Sequence, residues 1–429
     1  IPGSFNGYPV SAIGQQVFSG NPVLEFVTIP DTVTSIGAAA FANCSSLISA
    51  PLSYGLTNLG NEAFFQCLSL TSAAIPSGVS NIKQDTFYSC WAMTNVVISD
   101  GVTNIGEDAF NECSHFAVLT IPDSVISIGG GAFEGCPSLV TLTLTNGISD
   151  IGTNAFEHDY LSSLAIPATL TNISDGAFAF CQITNITVDT NNPVYTGVDG
   201  VLFSADQTTL ILYPQLPTNH NYTIPGSVGS IGDYSFADSS VTNVLIPNSV
   251  TNIGSFAFEF CLCPKIVIPE SVANIGDQAF YFCLLTTIII PQNVTNIGDD
   301  IFGGCPLKSV YFAGALPEID GSSVAAAGLA SDLGASAAIY YLLGTTGWSP
   351  PSILWNPMIE SPRRPIRPIR FHHHHHKHTY SRNRVRHQPG ESHMEPPPNQ
   401  YHNQRPLDLH RPFPNQHPLP FLPCYIPLI

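Results

Sequence analysis

The stretch LVTLTLTNGISDIGTNAF, residues 139–156, holds two apolar periods separated by a turn. Leu139, Leu142 and Leu144 give a φ-x-x-φ-x-φ spacing that alternates at its end, as a strand with one buried face does. Thr145-Asn146-Gly147 has turn chemistry. Ile148, Ile151 and the Ala155-Phe156 pair then form a second apolar set, with Gly152 placed to bend the chain between them. The x-x-Ala-Phe segment reads as a short turn of helix.

The pattern recurs along the chain, and recurrence at a fixed period signals a repeat architecture. Phenylalanine stands at 18, 41, 64, 87, 110, 133, 156, 178, 236, 258, 280 and 302, at intervals of 23 six times, then 22, 58, and 22 three times. Five residues before each stands Ile or Leu, followed by Gly in every copy except those with Lys83 and Ser174. Pro closes the strand segment in most copies (Pro30, Pro76, Pro122, Pro167, Pro225, Pro247, Pro269, Pro291). Lacking an N–H and fixed in φ, it ends a strand and turns the chain. One coil cannot bury its apolar edge, but stacked coils bury a continuous core. The expected fold is a repeat solenoid, mainly β with short helical turns, of about twelve coils of 22–23 residues. The polar position before the Ile is Asn at 58, 81, 104, 172, 252, 274 and 296, and this ladder is expected to bond backbone groups at the bend.

The unit φ-x-x-φ-x-φ-Pro-x-x-φ-x-x-Ile-Gly-x-x-Ala-Phe-x-x-Cys resembles the leucine-rich repeat of the BspA-like, or Treponema pallidum-type, class over roughly residues 5–312. The resemblance implies a right-handed leucine-rich-repeat coil. It divides the chain into a lead-in to the first repeat (1–12), with more chain expected upstream, and an N-terminal block (13–188). A β-hairpin insertion (189–223), a C-terminal block (224–312) and an array-closing segment (313–357) follow. Asp199-Gly200-Val201-Leu202-Phe203 and Leu210-Ile211-Leu212-Tyr213-Pro214 carry the insertion, which accounts for the 58-residue interval.

Charge excludes one class of partner. Residues 1–360 hold Lys83, Lys265 and Lys308, no Arg and 28 acidic residues, a formal charge of −25. Nucleic-acid affinity rests on Lys and Arg displacing counterions, so no nucleic acid is expected. No apolar run reaches the ~20 residues of a membrane span.

Ten of the eleven cysteines sit in the repeat register: Cys44, Cys67, Cys90, Cys113, Cys136, Cys181, Cys261, Cys283 and Cys305 three residues after the Phe, and Cys263 at a strand's first apolar position. Small buried thiols fill such positions as apolar groups, so free core thiols rather than disulfides or zinc ligands are expected. His115, His158 and His220 lie far apart in the stack without a carboxylate partner in register. No nucleophile elbow, phosphate loop or H-E-x-x-H helix occurs. No cofactor, metal or catalytic residue is assigned. The sequons at Asn43, Asn172, Asn185, Asn221 and Asn293 follow from the repeat's own composition and are expected to be unglycosylated.

Two sets of exposed side chains are candidates for contact. Phe65, Tyr88, Phe180, Phe260, Tyr281 and Phe282 fall beside the ladder Phe, where they cover the core's edge or meet a partner. On the strand face, the outward position between the last two core residues is Val97, Leu245, Val267, Ile289 and Tyr311, against Thr28, Thr120 and Thr143 in other coils. An apolar patch on a regular face is a candidate partner site.

Residues 361–429 differ in kind, with nine Arg, 14 Pro and eleven His, including the run His372–His376. Read one nucleotide out of frame, this stretch permits Thr-rich, strand-like products matching the body's composition. The segment 358–429 is therefore expected to be frameshifted and disordered, without a function for its His and Arg clusters. The family's known members are mostly surface or secreted bacterial proteins. The resemblance thus implies a non-catalytic scaffold, extracellular or on the cell surface, that binds a protein or a neutral glycan. One alternative is an architectural spacer for a terminal module. Another is a polysaccharide-acting β-solenoid enzyme using carboxylate pairs such as Glu107-Asp108 or Asp299-Asp300.

Overall fold

In the computed structural model, residues 1–315, 317–319, 338–342 and 355–358 are described, and all lie within the unit Ile1–Arg363. The expected tail, apart from the strand residue Met358, therefore lies outside the described residues, and the array-closing segment is described only in part.

Most coils contribute two short strands that pair in parallel with their equivalents one repeat away, whereas the segments at 26–29, 49–52 and 266–268 form no second strand. Ser127–Ile128 lies between Asn104–Ile105 and Asp150–Ile151, with Ile128 opposite both Ile105 and Ile151. Thr141–Thr143 pairs with Val118–Thr120, Leu142 opposite Leu119. The strands stay short because Pro removes a donor at one end and the Gly bend ends the pairing at the other. That Gly is dictated by packing: a Cβ on Gly152 would stand 2.5 Å from the Gly130 backbone nitrogen of the coil before.

The x-x-Ala-Phe segment departs from the expected turn of helix, and no helix occurs among the described residues. Asn154 and His158 adopt φ of 57° and 62°, so a left-handed residue interrupts the turns every four residues. Alternate N–H groups then point along the stack instead of along the segment. Phe133 N donates to Ala155 O and Gly135 N to Glu157 O, both at 2.8 Å.

Stacking turns repeat positions into ladders. The phenylalanine rings from Phe18 to Phe178 follow one another at 5.1–5.4 Å with planes within 11°. The cysteine ladder does more than fill space, since eight of its nine thiols donate to the Phe carbonyl of the coil before, and Cys261 turns instead to Cys263 and Val241 O. Cys44 reaches Phe18 O at 3.1 Å, Cys113 reaches Phe87 O at 3.2 Å and Cys283 reaches Phe258 O at 2.8 Å. Three coils replace the thiol, with Asn21, Asp159 and Ser239. Ser239 donates to Pro214 O at 3.1 Å, and Asp159 accepts from Cys136 N at 2.8 Å. The Asn ladder also differs from expectation. Its side chains bond one another from coil to coil, as in Asn104 Nδ2 to Asn81 Oδ1 (2.7 Å) and Ser127 Oγ to Asn104 Oδ1 (2.8 Å). Parallel pairing already uses the backbone groups there, and the side chains stand close enough to satisfy each other.

The long interval holds an antiparallel hairpin, Tyr195–Val198 with Val201–Ser204, and then Thr209–Leu212, antiparallel to the hairpin and parallel to Ser230–Ile231. Tyr213 takes the ladder position and stacks on Phe236 at 4.8 Å. The buried core divides here into two clusters, one ending at Leu212 and one beginning at Val201. After the last repeat, Ala338–Leu342 pairs in parallel with Ser309–Phe312, and Trp355–Met358 pairs with Ala338–Leu342.

Candidate binding surfaces

The alternation of each strand sends one residue inward and the next outward. In the C-terminal block the outward residues are apolar in consecutive coils. Leu245, Val267 and Ile289 are 57%, 60% and 58% exposed, although their inward neighbours Val244, Ile266 and Ile288 are buried. Register continues the column: Ile289 stands opposite Tyr311, and Tyr311 opposite Tyr340. The two tyrosine rings stack at 4.7 Å. Asn243, Lys265, Thr287 and Ser309 form the polar column alongside, with Thr287 and Ser309 hydroxyls 3.1 Å apart. The structure thus brings together four of the five candidate strand-face residues. It leaves Val97 apart, paired with Ala74 and separated from the others by coils carrying Thr120, Thr143 and Ala165. Tyr340 was missed because 29 residues separate it from Tyr311 instead of 22. The Ile339-Tyr340-Tyr341 alternation was the available signal.

The residues weighed for chemistry are tied into the stack. Asn111 Nδ2 donates to Asp108 Oδ1 at 2.9 Å, and Asp299 N donates to Asp277 Oδ1 at 2.8 Å. His220 Nδ1 contacts Ser240 O at 2.9 Å, and the His158 ring stacks on Phe180. Burial pushes the thiols of Cys90, Cys136 and Cys181 well above the ordinary value, against their role as nucleophiles or ligands. Cys261 and Cys263 sulfurs lie 3.3 Å apart, in thiol contact and beyond disulfide bonding distance. Among the described residues no group of three His, Cys, Asp or Glu is arranged to hold a metal ion. A cavity of about 180 Å³ opens at the junction of the two core clusters, lined by Ile173, Asp175, Tyr195, Asp233 and Tyr234. No helix of the described residues is long and apolar enough to cross a membrane.

No curated protein matches the chain. Among solved structures it is similar to a leucine rich cell surface protein of Faecalibacterium prausnitzii, at 29% identity over 77% of this chain and 89% of that one, with a TM-score of 0.57. It shares its fold with the pneumococcal vaccine antigen PcpA, at 24% identity over 78% of this chain and 87% of that one, also with a TM-score of 0.57. The family model of the BspA type leucine rich repeat region matches residues 11–113, 80–196 and 216–327. These spans cover most of the chain and carry the Phe, Cys and Asn ladders described above. The chain belongs to the BspA-type leucine-rich-repeat family.

Proposed function

We propose that this chain is a non-catalytic binding scaffold, secreted or held at a bacterial cell surface, whose C-terminal strand face takes up a protein or a neutral glycan. The observation that carries the reading is the outward column Leu245, Val267 and Ile289, all more than half exposed, which the half-buried Tyr311 continues. Apolar side chains more than half exposed on the stacked coils gain by being covered, at about 25 cal/mol per Å² of apolar surface removed from water. The flanking Asn243, Thr287 and Ser309 groups supply uncharged hydrogen bonds, and Lys265 adds a single positive charge among them. An acidic body favours neutral or basic partners over anionic ones. Similarity to a cell surface protein supports the location.

The test is binding of the full chain to arrays of extracellular proteins and neutral glycans, repeated with Val267→Asp/Ile289→Asp. Saturable binding lost in that variant, with unchanged thermal unfolding, supports the scaffold. Binding that survives the variant removes the strand face from the account. No saturable binding at all favours the architectural spacer, and release of reducing ends from a polysaccharide would replace the scaffold with an enzyme.

A further inference from the structure

The strand-face reading leaves unused the aromatic residues beside the ladder phenylalanines, and the structure gathers several of them where the two repeat blocks meet. Two residues after the ladder position the column runs His158, Phe180, the buried Gln215, Asp238, Phe260, Phe282 and Gly304. His158 stacks on Phe180 at 4.7 Å, and Phe260 on Phe282 at 5.1 Å. Phe180 meets Phe260 edge-on at 6.0 Å, although Gln215 and Asp238 hold the repeat positions between them in sequence. Tyr281 packs edge-on against Phe260 and Phe282 at 6.2 and 4.7 Å. Phe282 lies over Gly304, where an added Cβ would meet the ring at 2.6 Å. Phe260 and Phe282 stay 38% and 45% exposed, and Leu262 and Leu284, two residues further along the same coils, 46% and 47%. The rings cover one another's faces, so ring edges and leucines point outward. That surface suits apolar side chains better than the flat faces of sugar rings.

Carboxylates lie beside this patch, Asp238 exposed and Glu157 and Glu259 largely buried, and among the described residues no lysine or arginine forms an ion pair with them. Burial, and then the charges of Glu134 and Glu259, raise Glu157 to about 8. Burial, and then the charge of Asp238, raise Glu259 to about 7. His158 Nε2 is 3.7 Å from Glu157 Oε1, and Tyr234 and Tyr281 are the other titratable groups beside the pair.

We propose that this patch is a second docking surface, which receives a basic protein segment. The segment's apolar side chains cover Phe260, Phe282, Leu262 and Leu284, and its Lys or Arg groups pair with Glu157, Asp238 and Glu259. The surface occupies a different part of each coil from the strand face, so either can fail without the other.

A cation beside Glu157 and Glu259 favours their ionised forms, so binding drives off the protons they hold near neutral pH. Affinity therefore rises as pH increases from 7 to 9, where ordinary carboxylates are already ionised and His158 is neutral. Diffuse attraction to the acidic body weakens with salt but has no such pH dependence.

The experiment measures binding of the full chain to a short synthetic peptide of alternating Lys and Leu, with Gly–Lys and Glu–Leu peptides as controls. The expected result is about tenfold tighter Lys–Leu binding at pH 9 than at pH 7, with proton release seen by calorimetry in buffers of different ionisation enthalpy. Glu157→Gln/Glu259→Gln abolishes that pH dependence. Phe260→Ser/Phe282→Ser weakens Lys–Leu binding about tenfold and leaves Gly–Lys binding unchanged. Leu262→Asp/Leu284→Asp reads the same apolar contact if the aromatic variant melts early. Equal binding of Lys–Leu and Gly–Lys peptides, equal affinity at the two pH values, or pH dependence that survives Glu157→Gln/Glu259→Gln would overturn the proposal. So would a neutral oligosaccharide that displaces the peptide.

Discussion

Phe133→Ala removes a ring against which two neighbouring coils both stack. Phe133 is fully buried, with Phe110 at 5.2 Å, Phe156 at 5.3 Å and Phe116 edge-on at 6.4 Å. Buried Phe→Ala changes cost about 3–5 kcal/mol. Aromatic pairs contribute about 0.5–1.5 kcal/mol each beyond buried area. Three such partners and two rigid neighbours that hold the cavity open place this variant at the upper end, about 5 kcal/mol. Phe18 is the internal comparison, since it is only half-buried and has the single stacking partner Phe41 at 5.1 Å. Phe18→Ala is expected to cost about 2 kcal/mol. Equilibrium denaturation of both variants measures the difference. A Phe110→Leu/Phe133→Leu double-mutant cycle measures the pair itself, with an expected coupling of about 0.5–1.5 kcal/mol. Equal costs for Phe18 and Phe133, or no coupling between adjacent rings, would refute the view that stability runs from coil to coil through this ladder.

Thiol labelling of the native protein is expected to modify Cys305, which is partly exposed, well before the nine buried cysteines; uniform labelling would contradict the buried ladder. Asp159 is fully buried, one of its carboxyl oxygens has no partner, and burial holds its pKa well above the usual carboxylate range. The folded chain therefore keeps a proton that the unfolded chain loses above about pH 4, and stability falls by about 1.4 kcal/mol per pH unit until the folded-state pKa is reached. Denaturation midpoints of Asp159→Asn should accordingly overtake those of the wild type as pH rises from 4 to 7, and parallel pH profiles would count against a buried neutral acid. Gly152→Ala forces a Cβ into the backbone of the preceding coil and should cost about 1–3 kcal/mol. Gly226→Ala, with nothing within 4 Å of the new carbon, should be near neutral, and similar losses for both would remove the packing argument.

Much of the fold was legible because every coil presents nearly the same environment to its repeat positions. Phe at one position and Cys three residues later occupy sites that recur down the stack, so spacing alone placed them in the core. What escaped the reading depends on neighbours in the third dimension. The Asn side chains pair with each other because stacked coils bring them together, a distance that a single repeat does not contain. The anticipated helical turn fails because its N–H groups have partners in the next coil. Tyr213 stands 23 residues before Phe236 and was visible as a ladder residue, but the hairpin sequence around it masked the register. Asp159 and Ser239 likewise occupied the cysteine position in plain view. Of the candidate surface residues, Leu245, Val267, Ile289 and Tyr311 converge because they share a repeat position in consecutive coils. The aromatic patch was only half legible, since Phe180 and Phe260 meet through the geometry of the insertion.

In the proposed scaffold the C-terminal strand face, and not the strand face in general, makes the contact with a partner. A photoactivatable benzophenone side chain placed at Ile289, and separately at the equivalent exposed position Ala165, tests it most directly with the partner found on the arrays. A strong crosslink from position 289 and little or none from position 165 is the expected result. Equal crosslinking from both, or crosslinking from 165 alone, would contradict it.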